Sequence, residues 1–107
     1  MSSKKYNKLV RDRIPGIIMQ SGKRPAYSFL SDEDYLAKLD EKLNEELAEY
    51  QENKSVEELA DLLEVIRAVA VARGSSIEEV EAIRQDKAAK RGGFEKKILL
   101  SEVITKE

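Results

Sequence analysis

The central segment of the chain, residues 31–74, reads SDEDYLAKLDEKLNEELAEYQENKSVEELADLLEVIRAVAVARG. Its first half repeats leucine at intervals of three and four residues, at Leu36, Leu39, Leu43 and Leu47. This is the apolar spacing of one helix face. Ser31 followed by three acids is typical of a helix N-terminus. The pattern predicts a helix from Ser31 to about residue 51.

The second half of the segment predicts another helix. Ser55 and Glu58 stand at the spacing of a capping box. Apolar residues then follow at helical spacing, at Leu59, Leu62, Leu63, Ile66, Val69 and Ala70. We expect a tight turn at residues 52–54 and a helix end at Gly74. Two long helices in a hairpin therefore form the predicted centre of the fold.

The flanking segments predict shorter elements. Pro15 fits the first turn of a short helix ending near Gly22. Ser76 with Glu79 predicts the start of a further helix, which the glycine pair 92–93 ends. Residues 26–30 and 97–100 have strand-like composition and could pair with each other.

The fold class expected from these elements is all-α. It is a bundle of about four helices, centred on the hairpin, with short strands at its margins. We expect a single domain over residues 1–107, because this length and 41% apolar residues suit one modest core.

The composition excludes several kinds of chemistry. The 107 residues include no Cys and no His, so disulfides, zinc–thiolate sites, thiol nucleophiles and histidine bases are all ruled out. Any site must use carboxylates, amines, guanidiniums, hydroxyls and backbone groups. Oxygen ligands favour a hard cation such as Mg²⁺ or Mn²⁺.

Charge is unevenly distributed along the chain. Residues 1–31 carry seven Lys or Arg and one acid, residues 32–64 carry thirteen acids and three Lys, and residues 65–107 carry nine Lys or Arg and seven acids. A net charge of −2 argues against nucleic acid as a partner. The longest apolar run is Ala68–Ala72, so we expect no membrane partner and a cytoplasmic location.

Four acids of the hairpin are predicted to share one side. At about 100° per residue, Glu46 and Glu49 lie roughly 60° and 120° from the first apolar stripe. Glu58 and Asp61 lie roughly 80° and 140° from the second stripe, in the same rotational sense. An antiparallel hairpin then brings both pairs to one side, with Glu49 level with Glu58 and Glu46 with Asp61. Glu45 and Glu57 are predicted to point elsewhere.

Clustered carboxylates repel one another unless a cation or protons neutralise them. We therefore expect one or two Mg²⁺ ions at this side of the hairpin. Acids on helices are otherwise mostly solvated surface. A narrower alternative is that Glu58 only caps the Ser55 amide, and Glu49 could pair with a nearby lysine.

Two basic clusters are candidates for binding phosphate. Lys87, Lys90 and Arg91 precede the glycine pair, which is equally the composition of an ordinary helix C-terminus. Lys8, Arg11 and Arg13 form the other cluster, whose alternative is a solvated basic N-terminus. Asn7 is a candidate for contact with a base or ribose. The rings of Tyr6, Tyr27 and Phe94 suit either stacking on a base or the core.

Three blocks of the sequence resemble a known superfamily. Tyr6–Pro15 reads YNKLVRDRIP, Glu57–Ile66 reads EELADLLEVI and Lys87–Phe94 reads KAAKRGGF. Together with the acids of residues 45–49, they resemble the MazG-like all-α nucleoside triphosphate pyrophosphohydrolases. That group includes phosphoribosyl-ATP pyrophosphatase, and the three blocks in this order resemble a small house-cleaning branch of it.

The resemblance implies a function and its residues. It implies Mg²⁺, or alternatively Mn²⁺, on Glu46, Glu49, Glu58 and Asp61, and cleavage of a nucleotide between its α and β phosphates. It favours phosphate contact by Lys87, Lys90 and Arg91. Glu49 is the candidate both for metal binding and for activating water. Only eight residues separate Glu49 from Glu58, fewer than in the better-known relatives, so the hairpin tip is predicted to be shorter.

Two other functions stay open at this point. One is hydrolysis of phosphoribosyl-ATP, and the other is a non-catalytic helical interaction module. A homo-oligomer, dimer or tetramer, is expected because Val65, Val69, Val71 and Ala72 widen the apolar surface of the second hairpin helix. Members of the superfamily that the sequence resembles also assemble as dimers or tetramers.

Overall fold

A computed structural model of the chain describes residues 4–106. Within this range it contains four α-helices and no β-strand: α1 (Ile14–Gln20), α2 (Asp32–Asn53), α3 (Val56–Ala72) and α4 (Ile77–Arg91). The all-α prediction is confirmed. The described residues form two compact units, which divide in the sequence between Ile77 and Glu78. The expectation of a single domain stays a prediction.

The helices of the hairpin begin where the sequence predicts. Ser31 Oγ accepts a hydrogen bond from the Asp34 N–H at 3.2 Å, and Ser55 Oγ accepts one from the Glu58 N–H at 3.3 Å. Between the helices, Lys54 adopts φ 56° and its N–H donates to the Tyr50 carbonyl at 2.7 Å. The chain reverses at this left-handed residue, and Lys54 and Ser55 alone connect the two helices. Helix α2 ends at Asn53, about two residues later than predicted.

Glycine ends helices where the backbone needs a positive φ. Gly74 has φ 84° after the Arg73 cap of α3, which confirms its predicted C′ position. Gly92 has φ 83° and follows the last residue of α4. Helix α1 carries Pro15 in its first turn and ends just before Gly22, as expected.

The core of the first unit lies between α2 and α3, which pack against each other. Leu39 on α2 and Val65 and Ala70 on α3 are the buried apolar residues of the described range. Glu46, on the same helix as Leu39, is the buried charged residue of that range, with 7% of its surface exposed. The hairpin thus encloses a small core and one carboxylate.

The prediction of marginal strands at residues 26–30 and 97–100 is wrong. Both segments lack strand pairing, and Phe29 and Leu99 are 93% and 88% exposed. Strand-like composition produces a strand only where a second backbone supplies hydrogen bonds. Tyr27 and Phe29 instead contact each other edge to face, with ring centroids 6.0 Å apart.

Among the described residues, no helix is both long enough and apolar enough to cross a membrane.

Candidate metal centre

Carboxylates from both helices of the hairpin converge at one place. Oxygens of Glu46, Glu58 and Asp61 all lie within 4.8 Å of one another. A second group at the same spacing contains Glu45, Glu46 and Glu49. Every one of the four predicted ligands therefore belongs to at least one group, and Glu46 belongs to both.

Glu46 is the most enclosed of these acids. Its Oε2 atom is buried and has no hydrogen-bond partner, while Lys42 Nζ lies 3.7 Å from Oε1. Burial raises the pKa of Glu46, and the hydrogen bond with Glu49 and the charges of Glu49 and Asp61 raise it further. The charge of Lys42 only partly offsets this. In the absence of a bound cation, Glu46 holds a proton more tightly than an ordinary glutamate.

Glu58 presents one oxygen to the cluster without a partner. Its Oε1 accepts a hydrogen bond from Asn53 Nδ2 at 3.1 Å, and its Oε2 is buried and unpartnered. The alternative that Glu58 only caps the Ser55 amide is therefore wrong. Ser55 caps the Glu58 amide, but the Glu58 carboxylate bonds to the Asn53 side chain.

Two cations of the N-terminal segment reach the cluster from outside the hairpin. Lys8 Nζ donates to Glu45 Oε1 at 3.0 Å on α2, and Arg11 Nη2 donates to Asp61 Oδ1 at 2.9 Å on α3. The hydrogen bond and charge of Glu45 raise the pKa of Lys8, with smaller contributions from Glu49 and Glu46. Both residues were predicted to contact phosphate, and both lie beside carboxylates.

The prediction that Glu45 points away from the cluster is wrong. Its oxygen groups with those of Glu46 and Glu49, and its Oε1 also lies 3.3 Å from Lys42 Nζ. Burial opposes ionisation of Glu45, yet Lys8 and Lys42 hold its pKa below the ordinary value. Glu45 precedes Glu49 by four residues, so the two are neighbours on the helix surface, and this spacing was the signal available in the sequence.

Lys42 is the other residue that the sequence reasoning missed. It lies three and four residues before Glu45 and Glu46, on the same side of α2, and its side chain is 18% exposed. Glu57 is exposed and belongs to neither carboxylate group of the described range, as the angular pattern predicted.

The remaining candidate residues are exposed. Asn7 is exposed and adopts φ 49°. Lys87, Lys90 and Arg91 are exposed on α4 in the second unit, where Lys90 Nζ lies 3.0 Å from Asp86 Oδ2. Their contact with phosphate stays a prediction. The rings of Tyr6, Tyr27 and Phe94 are 63%, 58% and 97% exposed, so the core alternative is wrong for all three.

The donor set fits a hard divalent cation. It consists of carboxylate oxygens alone, which are the ligands that Mg²⁺ and Mn²⁺ take in proteins. Glu46 Oε2 and Glu58 Oε2 are buried acceptors with no donor, and a buried polar atom left unpaired destabilises the fold. A cation between them would remove both that penalty and the repulsion between the carboxylates.

Comparison with known proteins provides one short similarity. The chain is 58% identical over 41 residues to an uncharacterized protein of Mycolicibacterium smegmatis. The matched part covers 38% of this chain and 42% of the relative, so the chain spans less than half of that protein's length. No protein-family profile and no solved structure matches the chain.

Proposed function

We propose that this chain is a Mg²⁺-dependent nucleotide pyrophosphohydrolase of the MazG-like type. It cleaves the bond between the α and β phosphates of nucleoside triphosphates, principally non-standard ones, and releases a monophosphate and pyrophosphate. The observation that carries the proposal is the convergence of Glu46, Glu58 and Asp61, with two buried oxygens lacking a donor. The resemblance of three sequence blocks to that superfamily supports the choice of substrate.

The proposed metal ligands are Glu46, Glu49, Glu58 and Asp61. Bound Mg²⁺, or Mn²⁺ in its place, neutralises phosphate charge and makes a water molecule more acidic. Glu46 is the proposed ligand that the two carboxylate groups share, because it is a member of each.

Glu49 is the proposed general base. The water oxygen forms a bond to the α phosphorus, its proton passes to a Glu49 oxygen, and the α–β bridging bond breaks with pyrophosphate as the leaving group. Glu49 is suited to this role because its carboxylate groups with those of Glu45 and Glu46, next to the proposed metal ligands. A covalent nucleophile is unnecessary, which suits a chain without Cys or His.

Lys8 and Arg11 supply positive charge for the substrate. Their partners, Glu45 and Asp61, belong to the carboxylate groups, so a phosphate bound there is within reach of the same two side chains. Arg11 presents the planar guanidinium that binds phosphate oxygens in pairs. Asn7 is assigned to base or ribose, and Lys87, Lys90 and Arg91 to further phosphate contacts. The enzyme is proposed to act in the cytoplasm as a homo-oligomer.

The test is pyrophosphate release from a panel of standard and modified nucleoside triphosphates with Mg²⁺. We expect turnover of at least one of them, and losses of at least 100-fold for Glu46→Gln and Asp61→Asn. Glu57→Gln is the matched control, because Glu57 is an exposed acid on α3 outside both carboxylate groups. The proposal fails if no nucleotide yields pyrophosphate, or if the Glu46 and Asp61 variants match the control.

Two further measurements separate the alternatives. Competition between phosphoribosyl-ATP and the triphosphate panel distinguishes hydrolysis of phosphoribosyl-ATP from hydrolysis of non-standard nucleoside triphosphates. Calorimetry with Mg²⁺ alone distinguishes an enzyme from a non-catalytic helical module, which should show no binding near millimolar concentration.

A further inference from the structure

The segment that precedes α1 contacts both helices of the hairpin through its basic side chains. Lys8 Nζ donates to Glu45 Oε1 on α2 at 3.0 Å, and Arg11 Nη2 donates to Asp61 Oδ1 on α3 at 2.9 Å. Leu9, which lies between the two cations in the sequence, is half-buried. The segment is therefore held against the hairpin, with one ion pair on each helix.

This segment supplies most of the positive charge that contacts the carboxylate cluster. The two carboxylate groups together contain five acids: Glu45, Glu46, Glu49, Glu58 and Asp61. Of the described residues, Lys8, Arg11 and Lys42 form ion pairs with these acids. Lys42 belongs to α2 itself, so the other two cations come from the N-terminal segment. That segment is the main counter-ion of the cluster when no metal is bound.

Arg11 lies where a bound cation would repel it. Asp61 belongs to the group that Glu46 and Glu58 complete, and Arg11 Nη2 lies 2.9 Å from its Oδ1. Mg²⁺ bonds carboxylate oxygens at about 2.1 Å, so an ion held by Asp61 would lie within roughly 7 Å of this guanidinium. That distance is below the Debye length of about 8 Å at physiological ionic strength. Arg11 and a divalent cation therefore oppose each other's binding to Asp61.

The contacts of the segment are of a kind that exchanges readily. The side chains of Arg11 and Asp61 are 60% and 44% exposed, and ion pairs in solvent are weak. Lys8 can leave Glu45 as well, because Lys42 Nζ remains 3.3 Å from Glu45 Oε1. Guanidinium and ammonium groups that leave a carboxylate bind phosphate oxygens by the same charge-assisted hydrogen bonds.

We propose that Arg11 and Lys8 exchange partners when the site fills. They pair with Asp61 and Glu45 in the metal-free protein, leave these carboxylates when Mg²⁺ binds, and then bind the phosphate chain of the nucleotide. The last step rests on the proposed function, whereas the competition between Arg11 and the metal does not. Such coupling makes Mg²⁺ bind more weakly alone than together with a triphosphate, because the phosphates give Arg11 a new anionic partner.

Calorimetric titration with Mg²⁺ alone tests the competition. Arg11→Gln removes the charge but keeps a side chain that can donate to Asp61. It should lower the dissociation constant of Mg²⁺ at least about fivefold. Arg11→Lys keeps the charge and should leave the affinity for Mg²⁺ close to that of wild type.

The matched control is Arg73→Gln. Arg73 Nη2 lies 3.6 Å from Asp40 Oδ2, and its side chain is 58% exposed, against 60% for Arg11. The control therefore removes an equally exposed arginine from an aspartate outside both carboxylate groups of the described range. Its affinity for Mg²⁺ should equal that of wild type.

Titration with inorganic triphosphate at saturating Mg²⁺ tests the transfer to phosphate without any preference for a base. Arg11→Gln should raise this dissociation constant at least about tenfold, so one substitution changes two affinities in opposite directions. Lys8→Gln should give the same pattern with smaller changes, because Glu45 keeps Lys42 as a partner. Arg73→Gln should change neither affinity.

An unchanged or weaker affinity of Arg11→Gln for Mg²⁺ would overturn the proposal, since Arg11 would then position Asp61 for the metal instead of competing with it. Triphosphate binding that is absent, or independent of Arg11, would overturn the exchange as well. Failure of the proposed function looks different: the Mg²⁺ affinities of Arg11→Gln and Arg73→Gln would still differ as expected, while no nucleotide yields pyrophosphate. Absence of Mg²⁺ binding in every one of these proteins would overturn both.

Discussion

Glu46 on α2 and Glu81 on α4 are both helical glutamates, but they differ in burial and in the partners of their carboxylates. Glu81 is exposed and accepts hydrogen bonds from Arg84 Nε at 2.9 and 3.0 Å, and that contact with Arg84 lowers its pKa. Glu46 is 7% exposed, has an oxygen without a donor, and has a raised pKa, chiefly because of burial. The α4 acid is neutralised within its own helix, while the α2 acid is held in a cluster that the chain's own cations only partly balance.

This difference separates surface charge from a candidate site. Thirteen acids lie in residues 32–64, and most of them are ordinary exposed helix residues. The four proposed ligands differ because two helices bring them together and because two of their oxygens are buried without a partner. A buried, unpaired carboxylate oxygen is retained at a cost to stability, which is a common feature of functional sites.

The largest expected difference between the two acids is in catalysis. Glu46→Gln should lower pyrophosphate release at least 100-fold, because it removes the charge that both carboxylate groups share. Glu81→Gln, made in parallel, should leave turnover unchanged. Equal activity of the two variants would remove the functional distinction between them.

The next effect is stabilisation by the metal. Mg²⁺ at about 100 times its dissociation constant should stabilise the wild-type protein by about 2.7 kcal/mol, because it binds the folded state only. Thermal unfolding with and without Mg²⁺ measures this as a rise of several degrees in midpoint. Asp61→Asn should lose most of the rise, while Glu57→Gln should keep it. A rise that is equal in all three proteins would locate the bound cation elsewhere.

Without metal, a smaller change in stability is expected, and here the loss of the Glu46 charge should be favourable. Glu46→Gln should stabilise the metal-free protein at neutral pH by about 1 kcal/mol, since it removes a buried charge that lacks a full set of partners. Denaturant unfolding in the presence of a chelator measures the change. Destabilisation of the same size would indicate that the Glu46 carboxylate supports the hairpin rather than straining it.

The same reasoning predicts a pH dependence. Folding raises the pKa of Glu46 above its ordinary value of 4.5, so the folded state binds more protons than the unfolded state in the range just above that value. The contribution of Glu46 to the free energy of unfolding should therefore decrease as the pH rises through this range, and level off above the folded-state pKa. The wild-type minus Glu46→Gln difference, measured from pH 4.5 to 8, isolates this contribution. A difference that is flat with pH would contradict the raised pKa.

The smallest effect is expected on α4. Arg84→Ala removes the charged partner of Glu81, but both side chains are exposed, and an exposed ion pair contributes little. The unfolding midpoint should stay within experimental error of wild type. A clear loss would mean that α4 depends on its surface pairs more than an exposed helix should.

Local signals account for most of the fold that the sequence predicted. Ser31 and Ser55 begin their helices through side-chain caps, and Gly74 ends α3, because each of these effects acts within a few residues. The grouping of Glu46 with Glu58 and Asp61 was predicted from helical periodicity and a tight turn, whereas Glu49 groups with Glu45 and Glu46 instead of with Glu58. The strand predictions at 26–30 and 97–100 failed because pairing needs a distant partner that composition does not reveal.

For the candidate site too, contacts between residues distant in sequence could not be predicted. Nothing local to Lys8 or Arg11 indicates that they meet Glu45 and Asp61, which lie 37 and 50 residues away. Glu45 was misplaced because an angular pattern gives the direction of the Cα–Cβ bond, whereas a long side chain bends toward nearby cations. Lys8 and Lys42 supply those cations.

The most direct test of the metal centre is anomalous diffraction from crystals grown with Mn²⁺. Data collected at the manganese edge should show a strong peak within bonding distance of carboxylate oxygens of Glu46, Glu58 and Asp61, with Glu49 beside it. The peak should vanish in Glu46→Gln crystals and persist in Glu57→Gln crystals. Well-ordered carboxylates with no anomalous peak between them at millimolar Mn²⁺ would contradict the account.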